Sequence, residues 1–235
     1  MEDAGSSGLS APVVAFAGLT GSDVGSSPLV VLLHGRGSNE RDIAQLVPQL
    51  PAGPAYAAVR APIAEGGGFA WFANRGIGRP VAQSLRETMD WFTTWLDTVA
   101  PPGRPVLLVG FSGGAAFAGG LVLDRPDRYS GAAVLYGTLP FDAGVPITQG
   151  RLTGLPVLVV HGAQDTVIPR QLLDRTWSYL VGAPGQLSDA GGPGTSGADV
   201  RGSVDPGGHG ISYHGQLELA RWLTDQLTGI GAPPP

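Results

Sequence analysis

Cysteine and lysine are both absent from this chain of 235 residues. Without cysteine there is no disulfide framework, no thiolate-ligated metal and no cysteine nucleophile. All 14 basic side chains are therefore arginine, against 19 acidic ones, for a net charge of −5. That balance gives no nucleic-acid footprint, and no basic amphipathic stretch marks an anionic membrane surface. Histidine is also scarce, with four copies, and none has the H-x-x-x-H spacing of a metal site, so no metal is expected. No run approaches the roughly 18 apolar residues of a membrane span. The opening Met1-Glu2-Asp3-Ala4-Gly5 is acidic and lacks a positive region before an apolar core, so a soluble protein in the cytoplasm is the expectation, with no integral membrane association.

What is present is a hydrophobic content of 43% and an abundance of glycine, 38 residues in all. Length and composition predict one α/β domain over 1–235 and a small-molecule partner. Residues 1–10 and 230–235 read as loosely ordered ends. Val13 to Phe16 reads as an edge strand. The apolar runs Leu29–Leu33, Tyr56–Val59, Val106–Val109, Gly131–Tyr136 and Leu155–Val160 read as further strands, and Val200–Val204 as the last strand. Helical patterns lie between them. Asn39 and Asp42 resemble a capping box ahead of Ile43, Leu46, Val47 and Leu50, with Pro48 shortening that helix. Helices are also expected from Pro80 to Val99, from the elbow described below to Leu123, from Pro169 to Val181, and from Tyr213 to Thr228 with Gly229 as the stop. Residues 61–79 form an irregular glycine-rich stretch carrying Phe69, Trp71 and Phe72. Residues 182–198 lack periodicity and read as a flexible insertion. Strands alternating with helices imply a mostly parallel, doubly wound sheet with helices on both faces, and there is no internal repeat.

Gly110-Phe111-Ser112-Gly113-Gly114 follows an apolar strand and opens a small-residue helix. This is the setting of a nucleophile elbow, where a strained strand-to-helix turn presents a serine and only glycine-sized neighbours fit two positions either side. A serine hydroxyl needs an imidazole to take its proton and a carboxylate to orient that imidazole. Asp165, just past a strand end, and His209, in a glycine-rich turn after the last strand, follow in the order Ser, acid, His used by α/β-hydrolases. Loops at the C-terminal ends of parallel strands share one edge, so the three can converge. Asp142, Asp174 and Asp205 are rivals for the acid. His34 and His161 precede glycines at strand ends, where histidine commonly orders a loop by hydrogen bonding, and His214 reads as a surface or capping residue. Backbone N–H groups of Arg36 and Gly113 are the expected oxyanion donors. The Arg36 guanidinium is either a plain surface charge or a contact for an anionic substrate group. Phe69, Trp71 and Phe72 either line a substrate pocket, cover the sheet edge or support a homodimer.

Four blocks in this order resemble the bacterial phospholipase/carboxylesterase family of small serine α/β-hydrolases, related to acyl-protein thioesterases. They are Leu32-Leu33-His34-Gly35-Arg36-Gly37-Ser38-Asn39-Glu40-Arg41-Asp42, then the elbow, then His161-Gly162-Ala163-Gln164-Asp165 with Val167-Ile168-Pro169, and Gly207-Gly208-His209. The resemblance implies an α/β-hydrolase fold without a large lid domain, no cofactor, and hydrolysis of esters of small or medium acyl groups. It maps the nucleophile to Ser112, the acid to Asp165, the base to His209 and the oxyanion amides to Arg36 and Gly113. The same apparatus serves a thioesterase, lactonase or acyltransferase. A non-catalytic receptor on the hydrolase fold is the alternative from another class. The thioesterase branch usually has glutamine after the nucleophile, where this chain has Gly113, which argues against protein depalmitoylation. The 182–198 stretch, joining a helix to a strand, is expected on the edge away from the catalytic loops and without a functional part.

Overall fold

The apolar runs become the centre of a seven-stranded sheet because parallel strands covered on both faces must be apolar throughout. In the computed structural model, which describes residues 8–17, 27–182 and 195–231, the strands of this sheet are β1 (Val14–Ala17), β2 (Leu29–Leu33), β3 (Ala55–Val59), β6 (Val106–Phe111), β7 (Gly131–Leu135), β8 (Pro156–Gly162) and β9 (Asp199–Asp205). Their order is β1-β3-β2-β6-β7-β8-β9. Every pairing is parallel except β1 with β3.

Alternation along each strand divides the core into two layers. Leu29, Val31, Leu33, Val106, Leu108, Val134 and Val159 face one side, with Leu85, Met89, Phe92, Phe117 and Trp177. That side is covered by α2 (Ala82–Val99), α3 (Gly113–Asp124) and α4 (Arg170–Leu180). Val30, Leu32, Leu107, Val109, Leu135 and Val160 face the other, against Ile43, Leu219, Trp222 and Leu223. Here α1 (Glu40–Ala44) and α5 (Tyr213–Gly231) supply the cover. The mostly parallel sheet with helices on both faces is the α/β-hydrolase architecture that the element order implies.

Several expectations need correction. The Asn39 side chain does cap α1, accepting from the amides of Arg41 and Asp42, but the helix ends at Ala44 and a single 3-10 turn, Val47–Gln49, follows around Pro48. The stretch after β3 is not wholly irregular. It contains a hairpin, β4 (Ile63–Glu65) with β5 (Gly68–Ala70), whose two turn residues Gly66 and Gly67 both have positive φ, at 57° and 84°, as a tight hairpin turn demands. The last helix runs past Gly229 to Gly231, because Leu227 and Ile230 still pack on the core and outweigh a glycine penalty of about 1 kcal/mol.

At the start, the expectation of a loose end fails for residues 8–10: Leu9 packs against the core and the Ser10 carbonyl accepts from the Trp91 indole at 2.7 Å. Residues 1–7 lie outside the described residues, as do 232–235 and 183–194. Of the stretch read as an insertion, Thr195 to Ala198 is ordered: Ser196 is buried and bonds through its backbone to Tyr179 and Leu152. This part sits at the entry of β9, away from the strand ends that carry the site.

Candidate active site

At the C-terminal end of β6 the chain turns directly into α3, and Ser112 occupies the turn with φ 53° and ψ −113°. A residue other than glycine in this region carries about 1–3 kcal/mol of strain, maintained only by the packing around it. The neighbouring glycines show that packing. A Cβ on Gly110 would stand 2.2 Å from the Gly114 carbonyl oxygen, and one on Gly114 would stand 2.1 Å from the Leu33 oxygen. Strand β2 therefore passes against the start of α3 with no room for a side chain. The backbone of Ser112 is fixed further by its N–H donating to Leu135 at 2.9 Å and by its carbonyl accepting from Ala115 and Ala116.

Ser112 Oγ lies 2.9 Å from His209 Nε2, and His209 Nδ1 lies 2.8 Å from Asp165 Oδ2. The other Asp165 oxygen accepts from the amides of Val167 at 2.8 Å and Ile168 at 3.0 Å. Burial pushes this carboxyl upward, but the hydrogen bonds from His209, Ile168 and Val167 outweigh it and hold it below the ordinary carboxylate range. A carboxylate that stays ionised requires His209 to carry its proton on Nδ1. Nε2 is then left as an acceptor for the serine proton.

Around the serine, the backbone N of Arg36 lies 3.3 Å from the position a Cβ on Gly113 would occupy. The two amides thus adjoin, and among the described residues neither N–H has a protein acceptor. The loop bearing Arg36 is held by the hairpin. Gly37 N–H donates to the Phe69 carbonyl at 2.9 Å and Phe69 N–H to the Ser38 carbonyl at 3.0 Å, while the Arg36 guanidinium forms a two-pronged pair with Glu65, both contacts at 2.6 Å. A Cβ on Gly68 would come within 2.0 Å of the Gly37 oxygen, so glycine is needed where hairpin and loop meet.

A cavity of about 360 Å³ opens beside Ser112, lined by Trp71, Phe72, Ile77, Leu139, Val167 and Ile168 together with Arg36, Gly113 and His209. Trp71 and Phe72 thus fall where a pocket role places them. Phe69 does not: its ring lies beneath the Arg60 guanidinium at 4.7 Å, and Arg60 is paired with the buried Glu40 at 2.6 Å. Alternation along β5 turns Phe69 away from the face that Ala70 presents to the cavity.

The remaining histidines divide three ways. His34 is buried, accepts from the Ala61 amide through Nε2 at 3.0 Å and contacts the Gly35 carbonyl through Nδ1 at 2.7 Å. Burial lowers its pKa, so it is a neutral loop organiser. His161 is no loop organiser: it lies inside β8, fully buried, with no hydrogen-bond partner for either ring nitrogen among the described residues, because β8 continues pairing with β9 through His161 and Gly162. His214 is exposed and bonds to Ser203 at 2.9 Å.

Of the rival acids, Asp142 pairs with Arg175 and Asp174 with Arg170. Asp205 is different. Its carboxylate accepts from the Tyr136 hydroxyl at 2.6 Å, from the Gly207 amide at 2.6 Å and from the Ser212 hydroxyl, and so ties down both ends of the turn that carries His209. Burial raises this carboxyl, and the bonds from Ser212, Tyr136 and Gly207 more than reverse the effect. This anchoring part goes beyond the rival-acid role that the sequence suggests for Asp205; its position between the last strand and the histidine turn is the available signal. Tyr136, with φ 48°, and Ser212 gave no signal of their own.

The same architecture recurs in solved structures. A carboxylesterase from Bacillus cereus superposes with a TM-score of 0.75 at 20% identity, over 92% of this chain and 94% of the other. A carboxylesterase from Mesorhizobium loti gives 0.73 at 24% identity, over 89% and 92%. In sequence, the protein MhqD of Bacillus subtilis (strain 168) is 24% identical over 206 residues, 86% of this chain and 95% of its own length. The model of the Phospholipase/Carboxylesterase family matches residues 20–188, most of the chain and including the elbow and Asp165, and the chain therefore belongs to this family of esterase-type hydrolases.

Proposed function

We propose that the protein hydrolyses carboxylic esters with small or medium acyl groups through an acyl-enzyme on Ser112. The observation that carries this reading is the unbroken chain from Ser112 Oγ through His209 to Asp165, at 2.9 Å and 2.8 Å, beside two amides without acceptors among the described residues. Ser112 Oγ attacks the ester carbonyl while His209 Nε2 takes its proton. The carbonyl oxygen becomes an oxyanion facing the N–H groups of Arg36 and Gly113. Collapse of this intermediate breaks the bond to the alcohol oxygen, which leaves with the proton from His209. Water then attacks the acyl-enzyme with His209 again as base, and the carboxylic acid and free serine result. Asp165 orients the imidazole throughout and stabilises its protonated form.

The cavity volume of about 360 Å³ is at the small end of ligand pockets, about 300–1,000 Å³, and supports short to medium acyl chains. The test is labelling by a fluorophosphonate and turnover of p-nitrophenyl esters of graded length, comparing the native protein with Ser112→Ala. Labelling at Ser112, with a nitrophenol burst absent from the variant, is the expected result. A folded native protein that neither labels nor turns over these esters would favour the non-catalytic receptor reading.

A further inference from the structure

The cavity walls are apolar apart from a few groups, and among the described residues that line it Arg36 is the one with a permanently positive side chain. Its guanidinium is already engaged. Nε and Nη2 each contact a different Glu65 oxygen at 2.6 Å, the planar two-pronged match that arginine would otherwise offer to a carboxylate on a ligand. Glu65 comes from the end of β4, on the hairpin that also grips the Arg36 loop through Gly37, Ser38 and Phe69, so the partner is built into the site. Both side chains are about two-fifths exposed, 37% and 39%, so the pair is open to solvent beside a residue that lines the cavity.

We propose that Glu65 is a specificity-determining residue: by occupying the Arg36 guanidinium it cancels the charge at the cavity mouth and restricts the site to uncharged esters. A carboxylate at the far end of an acyl chain would meet a wall with no net positive charge and would lose its hydration without a partner in return. Neutralising Glu65 releases an arginine fork at that wall, and the site then accepts the carboxylate-bearing chain.

This inference rests on the ester-hydrolase reading, and two substrates separate it from that reading. p-Nitrophenyl hexanoate and mono-p-nitrophenyl adipate carry acyl chains of equal length and differ in the terminal carboxylate. The native protein is expected to favour the hexanoate. Glu65→Gln should raise the adipate-to-hexanoate ratio of kcat/KM by about tenfold, with the gain shrinking as salt is added, and the double variant Glu65→Gln/Arg36→Gln should lose it. An unchanged ratio in folded Glu65→Gln, or a gain that persists in the double variant, overturns the proposal. Should Glu65→Gln fail to fold, Arg36→Gln alone decides: its unpaired Glu65 carboxylate should lower the ratio, and an unchanged ratio again overturns it. If the native protein turns over neither ester, the hydrolase reading fails, and calorimetric binding of adipate to native protein and Glu65→Gln judges the charge proposal without turnover.

Discussion

Replacing Asp165 with asparagine changes one atom, and the hydrogen bonds around it decide the consequence. The oxygen bonded to Val167 and Ile168 accepts from two backbone amides, at 2.8 Å and 3.0 Å. Asparagine must keep its oxygen there, since turning its NH₂ toward two N–H donors would orphan both, at about 1–3 kcal/mol each. Its NH₂ then points at His209 Nδ1, which must accept instead of donate. The imidazole proton moves to Nε2, the atom that faces Ser112 Oγ at 2.9 Å, and the base is lost. Restoring the useful tautomer by flipping the amide would cost about 2–6 kcal/mol for two amides, a population penalty of roughly 30-fold to 10⁴-fold at about 1.4 kcal/mol per tenfold. Loss of the carboxylate opposite the protonated imidazole adds to this. kcat for p-nitrophenyl butyrate should therefore fall about 10³–10⁴-fold, the range expected when such a carboxylate becomes an amide. The assay is steady-state kinetics with circular dichroism to verify folding. A folded Asp165→Asn protein with kcat within tenfold of native would refute the assignment of Asp165 as the orienting acid.

Other expectations follow from neighbouring features. Burial pushes the His161 pKa down to about 4 from the usual 6.5; the unfolded chain takes up that proton first as pH falls, so stability is intact above about pH 6.5 and declines towards pH 4. Between pH 7 and 5 this amounts to about 2 kcal/mol at about 1.4 kcal/mol per pH unit. Denaturant titrations should show His161→Leu losing that much less than the native protein over the same interval, and equal losses would clear His161 of the effect. Gly68→Ala would press a methyl within 2.0 Å of the Gly37 oxygen, displacing the Arg36 loop; kcat should drop about 10–100-fold with the far-ultraviolet spectrum unchanged, and undiminished kcat would mean the Arg36 amide plays no part. Asp205→Asn should loosen the turn bearing His209, lowering kcat at least tenfold and the Tm by several degrees; a Tm loss with native kcat would confine Asp205 to a structural part.

The sequence carried the site further than it carried the surroundings. Ser112, Asp165 and His209 were legible as candidates because each stands beyond a strand, apolar for Ser112 and Asp165 and mixed for His209, and parallel topology collects such positions at one edge. The hairpin that holds the Arg36 loop was missed because strands of three residues, as in Ile63–Glu65 and Gly68–Ala70, show too little alternation, although the paired glycines at its turn were a usable signal. Phe69 was misplaced for the same reason: without β5 there was no pleat to say which of Phe69 and Ala70 faces the serine. His161 was expected at a strand end because the apolar run stops at Val160, whereas backbone pairing with Val204 extends the strand beyond the run. The ordered end of the supposed insertion, around Ser196, depends on amide donors from Gly150, Leu152 and Gly154 and on the Tyr179 carbonyl, and such nonlocal backbone bonds leave no mark in composition.

The glycines at 68, 110 and 114 have a consequence for how this molecule can diverge. At each, main chain rests directly on main chain, so backbone contact takes a large part in placing the serine and the amides. The apolar groups that line the cavity beside Ser112 come from other segments, Ile77 from the stretch after the hairpin, Leu139 from the turn after β7, and Val167 and Ile168 beyond β8. The apolar lining and the backbone that positions Ser112 are thus written in different parts of the chain. Exchanges at Ile77, Leu139 or Val167 can reshape the range of esters accepted while the apparatus that breaks them keeps its geometry.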